Sequence, residues 1–191
     1  MLSEIKKSLR NLYVVLSMAF LAISLQGAEK DVYVPLFKFD SAVSVKQWKF
    51  NPWGGEKKAK ISFEESDEKE GPAKFMRITY SGNATLSSSA LSQILLEKIA
   101  GKSASKFYLR YRVGALTGSA QFQYINRVND ATYSYSNPLG LNRNANWQCA
   151  EAGLGGWNKE ERPFNITELC DLFIIFNGNG TIDIAEIGVI Y

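Results

Sequence analysis

Side chains that could carry chemistry are unevenly supplied in this 191-residue chain: it holds 4 Trp, 9 Tyr, 11 Phe and 19 acidic residues, but no histidine and only 2 cysteines. Serine–histidine and cysteine–histidine nucleophilic catalysis, and the usual histidine-containing zinc sites, therefore cannot be built from it alone. Paired carboxylates survive as a catalytic option, because glycoside hydrolysis needs two acidic residues roughly 5–10 Å apart and nothing else obligatory. Aromatic rings beside polar groups survive as a binding option. A flat ring covers the apolar face of a sugar ring, while planar amides and guanidinium groups bond its hydroxyls.

Two tryptophans stand where no regular element supports them. Trp53 lies in Asn51-Pro52-Trp53-Gly54-Gly55 and Trp157 in Gly155-Gly156-Trp157-Asn158, and the glycines and proline mark both as loops. Each is either a stacking platform or a plug folded back over an open end of the core. Tyr133 and Tyr135 alternate on one strand face beside Arg127-Val128-Asn129-Asp130, so Arg127 and Asp130 join them as candidate ligand contacts, with core or rim packing as the alternative. Cys149 and Cys170 make either a disulfide or two packed thiols, expected close together in space. They do not form a Cys-x-x-Cys redox pair.

The elements that must position these residues are mostly strands. From residue 31 onward short β-type runs alternate with Gly, Asn, Ser and Pro clusters, and only Leu91 to Ala100 carries helical periodicity. The expected strands are Val34–Phe39, Ala59–Glu64, Lys74–Tyr80, Lys106–Val113, Ala120–Val128, Thr132–Ser136, Trp147–Gly153, Asp171–Phe176 and Thr181–Tyr191. In Lys106–Val113, Phe107, Leu109, Tyr111 and Val113 share one face while Tyr108, Arg110 and Arg112 share the other, the pattern of a sheet covering the core on one side. The charged stretch Glu64–Gly71 reads as a solvated hairpin tip or loop. The predicted class is all-β, a two-sheet antiparallel β-sandwich at residues 29–191.

Residues 1–28 have another character. Lys6, Lys7 and Arg10 precede an apolar run from Leu12 to Leu25 and then Gly27 and Ala28, the layout of a cleaved signal peptide and of a secreted or periplasmic protein, with a retained membrane anchor as the alternative. The membrane is then met only through this segment. Of 22 basic and 19 acidic residues, three and one fall here, leaving 19 against 18 in the remainder. So balanced a charge gives no signal for nucleic acid as a partner.

The two ends of the mature region resemble the galactose-binding-like jelly rolls that include many carbohydrate-binding modules. Leu36-Phe37-Lys38-Phe39-Asp40 followed by Trp48 matches their opening strand, acidic residue and tryptophan. Trp147, Asn165-Ile166-Thr167-Glu168-Leu169, the strand Leu172–Phe176, a Gly-Asn turn and Ile182–Tyr191 match their close. The resemblance implies a non-catalytic module whose partner is a polysaccharide or other glycan, with Trp48 and Trp147 packed in its core. It also implies Asp40, Asp183 and Glu186 as ligands of a structural calcium, although Ala185 replaces one expected carboxylate; otherwise Asp40 caps a turn and the other two face solvent. Thr181-Ile182-Asp183-Ile184-Ala185-Glu186 looks like the Glu-x-Asp-x-x-Glu strand of family 16 glycoside hydrolases, with Thr181 where the nucleophile would stand. The expectation is therefore an exported carbohydrate-binding module, not an enzyme. The alternatives are a cell-envelope assembly module that binds protein and, third, a small glycosidase.

Overall fold

The computed structural model describes residues 31–51, 59–88, 104–154 and 162–191. The expected signal segment, the Leu91–Ala100 helix, Trp53 and Trp157 lie outside them. Among the described residues nine strands carry the fold: β1 (Tyr33–Lys38), β2 (Trp48–Phe50), β3 (Ala59–Glu65), β4 (Lys74–Ser81), β5 (Ala84–Ser88), β6 (Lys106–Val128), β7 (Ala131–Leu139), β8 (Gln148–Gly153) and β9 (Leu169–Ile190). A single turn of helix, α1 (Ala42–Lys46), follows β1. Ser41 caps it, its Oγ accepting from the Ser44 amide at 3.3 Å.

Two strands are far longer than expected. Lys106–Val113 and Ala120–Val128 belong to one strand, as do Asp171–Phe176 and Thr181–Tyr191, and the two pair antiparallel from Lys106↔Ile190 to Asn126↔Leu169. This ribbon folds back on itself. Phe107 and Phe122 stand 15 residues apart on β6, about 50 Å if the strand were straight, yet their ring centroids are 5.6 Å apart. The first half of β6 and the last half of β9 therefore form a front sheet in the order β8-β6-β9-β4-β3, with β1 beside the end of β9. The other halves form a back sheet in the order β7-β6-β9-β5-β2.

The fold in the ribbon is made by glycine. Gly118 and Gly178 face each other across the two strands at φ +91 and φ +100, and a Cβ on either would overlap the opposite backbone carbonyl, Asn177 O or Thr117 O. L-residues pay heavily for that conformation and that contact. A register shift between Val113 and Ala115 adds twist on the approach to the bend.

Between the sheets, inward positions of every long strand join one hydrophobic core: Met76 and Ile78 from β4, Phe107, Leu109 and Phe122 from β6, and Ile174, Ile182, Ile184 and Ile187 from β9. Trp48 is in that core as expected, 4% exposed and edge-on to Phe37 with centroids 4.9 Å apart. The two strands without a sequence forecast, β2 and β5, are short and polar in part. Their existence depends on pairing, Phe50↔Leu86 within the pair and Leu86↔Ile174 on β9.

Replacing Gly118 or Gly178 by alanine is expected to cost about 2–3 kcal/mol or to prevent folding, from a strained φ combined with a backbone clash. Gly140→Ala, where nothing lies near the added methyl, is the control; equal melting temperatures for all three variants would refute the hinge. Tyr80 gives a test of opposite sign. Its hydroxyl is buried with no hydrogen-bond partner among the described residues, and burial pushes its pKa up to about 12. Because the folded-state pKa is raised, this contribution to stability is complete below the ordinary tyrosine value near 10 and is lost as pH rises towards 12. Tyr80→Phe should leave stability at neutral pH unchanged or higher by about 1 kcal/mol, and reduce the fall in melting temperature between pH 10 and 12.

Candidate functional site

The outer face of the front sheet holds the side chains that its strands alternate away from the core. From β6 these are Tyr108, Arg110 and Arg112, from β4 Phe75 and Arg77, and from β9 Asp183 and Glu186. The segment around β8 adds Trp147, Cys149 and Glu151. Asp183 and Glu186 are an odd number of residues apart and would point to opposite faces of a regular strand. A bulge at Ala185, opposite the step from Arg110 to Tyr111, puts both on the outside: Arg110 pairs with Glu186 and Tyr111 with Ile184.

Asp183 organises this face. Its side chain is 4% exposed, and Arg77 grips it with two parallel bonds, Nε to Oδ1 at 2.7 Å and Nη2 to Oδ2 at 2.9 Å. Arg112 Nε adds a third at 3.0 Å to Oδ2. Such bidentate, charge-assisted contacts are the strong class of hydrogen bond. Accordingly the Asp183 contact raises the pKa of the Arg77 guanidinium, against the opposing effect of burial.

Above the carboxylate, Arg112 lies over two rings. Its Cζ is 5.1 Å from the Phe75 centroid and 5.0 Å from that of Trp147, and the two rings meet edge to face at 5.5 Å. Each cation–π contact is worth about 0.5–2 kcal/mol according to its desolvation. The Glu64–Gly71 stretch is not simply a solvated tip. It folds back over the sheet, Glu68 pairs with Arg112 Nη1, and Gly71 sits against the Trp147 indole so closely that a Cβ there would overlap Cδ1. Trp147 is thus held in one orientation, half-buried, on the outer face. It was expected in the core, but the inward positions of β8 belong to Ala150 and Ala152.

An open cleft of about 720 Å³ lies between that loop and the sheet, lined by Glu68, Lys69, Glu70, Gly71, Arg110, Ala145, Asn146 and Trp147. A smaller depression of about 260 Å³ on the other side of the loop contains Lys38, Asp40, Lys74 and Glu186. At the far end of the face Tyr33 meets Tyr108 edge-on at 5.1 Å, and its hydroxyl donates to Glu151, which also takes a bond of 2.7 Å from Lys106. Those two donors, Lys106 first, hold the Glu151 carboxyl below the usual range. Tyr108 donates to Glu186 at 3.3 Å, and its own pKa is pushed up by burial and then by that carboxylate.

The residues expected to form a site are dispersed. Tyr133 and Tyr135 do share a face, but it is the inner face of the back sheet. Tyr135 is fully buried, stacked on Tyr124 at 5.7 Å and donating to Pro163 O at 3.2 Å, and Tyr133 is covered by the Arg162 guanidinium at 4.7 Å. Arg127 pairs with Thr132 while Tyr133 pairs with Asn126, so Arg127 faces away from both rings. Asp130 is exposed in the β6–β7 turn. The three carboxylates expected around calcium do not converge either: Asp183 is taken by two arginines, whereas Asp40 and Glu186 share the small depression with two lysines. Among the described residues no group of three or more acidic or cysteine side chains is arranged to hold a metal ion.

Cys149 and Cys170 are free thiols on different sheets, contrary to the expected proximity. Cys149 is opposite Arg110 on the outer face, and Cys170 is the second residue of β9 in the back sheet, its thiol 3.3 Å from Ile125 O. Burial raises both thiol pKa values, which disfavours the reactive thiolate. Neither does the Thr181–Glu186 segment present a free carboxylate pair. Both Asp183 oxygens already accept from arginine, and Thr181 pairs with Thr79 on β4.

The chain matches no protein-family model and no curated protein. Solved structures do resemble it. The family 11 carbohydrate-binding module from Clostridium thermocellum, in complex with a β-1,3-1,4-mixed-linked tetrasaccharide, superposes with a TM-score of 0.51 at 14% identity, over 85% of this chain and 96% of the module. A solution structure of CtCBM11 gives a TM-score of 0.53 at 15% identity, over 86% of this chain and 98% of the other. An exo-β-agarase gives 0.52 at 12% identity, over 81% of this chain but only 24% of the enzyme. The described residues share the β-sandwich fold of these structures.

Proposed function

We propose that this chain is an exported, non-catalytic module that binds polysaccharide on the outer face of its front sheet. One observation carries the reading: a half-buried tryptophan, Trp147, is locked by Phe75, Arg112 and Gly71 at the wall of an open cleft with a polar floor. A ring fixed in this way loses little freedom when a sugar stacks on it, and preorganisation of that kind lowers the cost of binding. Support comes also from the similar fold of the family 11 module, which was solved with a tetrasaccharide. Export is supported by the basic, apolar and small-residue order of residues 1–28.

Titration calorimetry against soluble β-glucans, xylans, galactans and uronate polymers tests the reading. Trp147→Ala should weaken binding at least tenfold, the loss typical of an interface anchor, while the protein still melts cooperatively. Asp183→Ala separates scaffold from contact, because it strands Arg77 and Arg112 and should destabilise the fold by about 3 kcal/mol. Failure of every polysaccharide to bind, or binding indifferent to Trp147→Ala, would defeat the proposal. For export, mass spectrometry of protein from the exported fraction should find an amino terminus near residue 29; a chain beginning at Met1 would show that the segment is retained.

A further inference from the structure

Three arginines point outward from the front sheet, and two of them are satisfied within the fold. Arg77 and Arg112 share Asp183, and Arg112 also pairs with Glu68. Arg110 differs. It is half-buried on the cleft floor and makes no hydrogen bond or ion pair with any described residue. The carboxylate placed opposite it on β9, Glu186, instead accepts from Tyr108 Oη. Its β8 neighbour is the neutral thiol of Cys149. The remaining charges of the cleft, Lys69 and Glu70, are exposed on the loop that forms the wall, and Glu68 is engaged by Arg112.

Resting on the reading above that this cleft takes polysaccharide, we infer that its ligand is an acidic glycan, a chain bearing uronate carboxylates, with one carboxylate received by Arg110 while a ring stacks on Trp147. A guanidinium presents a planar fork that matches the two oxygens of a carboxylate, and a partly desolvated cation without a partner gains most from acquiring one. The neutral hydroxyls of a plain glucan offer single, uncharged acceptors and would leave that cation uncompensated. Bulk attraction does not substitute for this contact, since the chain beyond residue 28 carries almost equal numbers of basic and acidic residues.

The experiment titrates the exported chain with polygalacturonate, alginate and glucuronoxylan, each compared with its carboxyl-reduced form, in which every uronate has become a neutral hexose. A neutral β-glucan and dextran sulfate complete the set. At least one uronate polymer should bind about tenfold more tightly than its reduced form, the scale of one charge-assisted contact. Arg110→Gln should abolish that difference with an unchanged melting temperature, and Arg110→Lys, which keeps the charge but not the fork, should retain part of it. Trp147→Ala should weaken both forms together. Equal binding of native and reduced polymers, or binding of the neutral β-glucan alone, overturns the acidic assignment and leaves polysaccharide binding intact. Dextran sulfate binding as tightly as the uronate polymers and indifferent to Trp147→Ala would show diffuse charge attraction and overturn it too. If no polymer binds, the broader reading falls with it.

Discussion

Two strands of more than twenty residues each cannot remain straight in a small domain, and the way this ribbon bends determines everything built on it. Gly118 and Gly178 meet at the one place where both backbones take a left-handed turn and touch. Once bent there, the ribbon supplies two central strands to each of two facing sheets. Every other strand is an addition to one edge or the other. The arrangement binds the sheets covalently at the fold of the ribbon, so the core between them is closed at that end by backbone and needs no loop to cover it. It also makes contacts distant in sequence unavoidable, since Arg77, Arg112 and Asp183 come together only after β4, β6 and β9 have all docked.

That convergence gives the front sheet an outer surface unlike its back counterpart. A buried carboxylate is costly unless its acceptor sites are filled, and here two arginines fill them. One of these, Arg112, extends the network outward through Phe75 and Trp147 and into the β3–β4 loop through Glu68. Anion, cation and rings form a stack in which each group restrains the next. The cleft therefore has a wall of ordered side chains even though its outermost segment is a charged loop. A similar loop without the Gly71 contact and the Glu68 pair would be free to swing.

Much of the sandwich could be read from alternation alone. The apolar and polar faces of Lys106–Val113 are those observed, and the nine expected strand segments fall on seven strands, two each on β6 and β9. What alternation could not register was continuity. Gly114 and Gly118 on β6, with Gly178 and Gly180 on β9, look like turn punctuation in a sequence, whereas in the structure they are bulge and hinge within unbroken ladders. The short strands β2 and β5 were missed for the complementary reason, because pairing across the sheet and not local composition makes them strands. The candidate site was less legible. Tyr133 and Tyr135 had the correct mutual orientation, but no local pattern distinguishes the inner from the outer face of a hairpin when aromatic and polar residues occur on both.

Trp147 illustrates which signal would have served. The resemblance to the jelly-roll modules places Trp147 in the core, and Cys149 with it on the same strand face. The intervening positions, however, are Ala150 and Ala152, and the strand they face across the ladder contributes Phe107 and Leu109 to the interior. Core volume is shared between neighbours, so an edge strand beside such bulky partners has room for alanine on its inner face and not for an indole. The same comparison of partners explains Arg110: its inward neighbours Leu109 and Tyr111 occupy the core, leaving the guanidinium outside. Asp183, the strongest acceptor on that surface, is one step beyond a bulge and already filled by Arg77 and Arg112. A cation unpaired among the described residues, beside a fixed ring, is thus a consequence of register as much as of composition. It is the pairing table of a sheet, more than the identity of any one residue, that locates a binding surface in a β-sandwich.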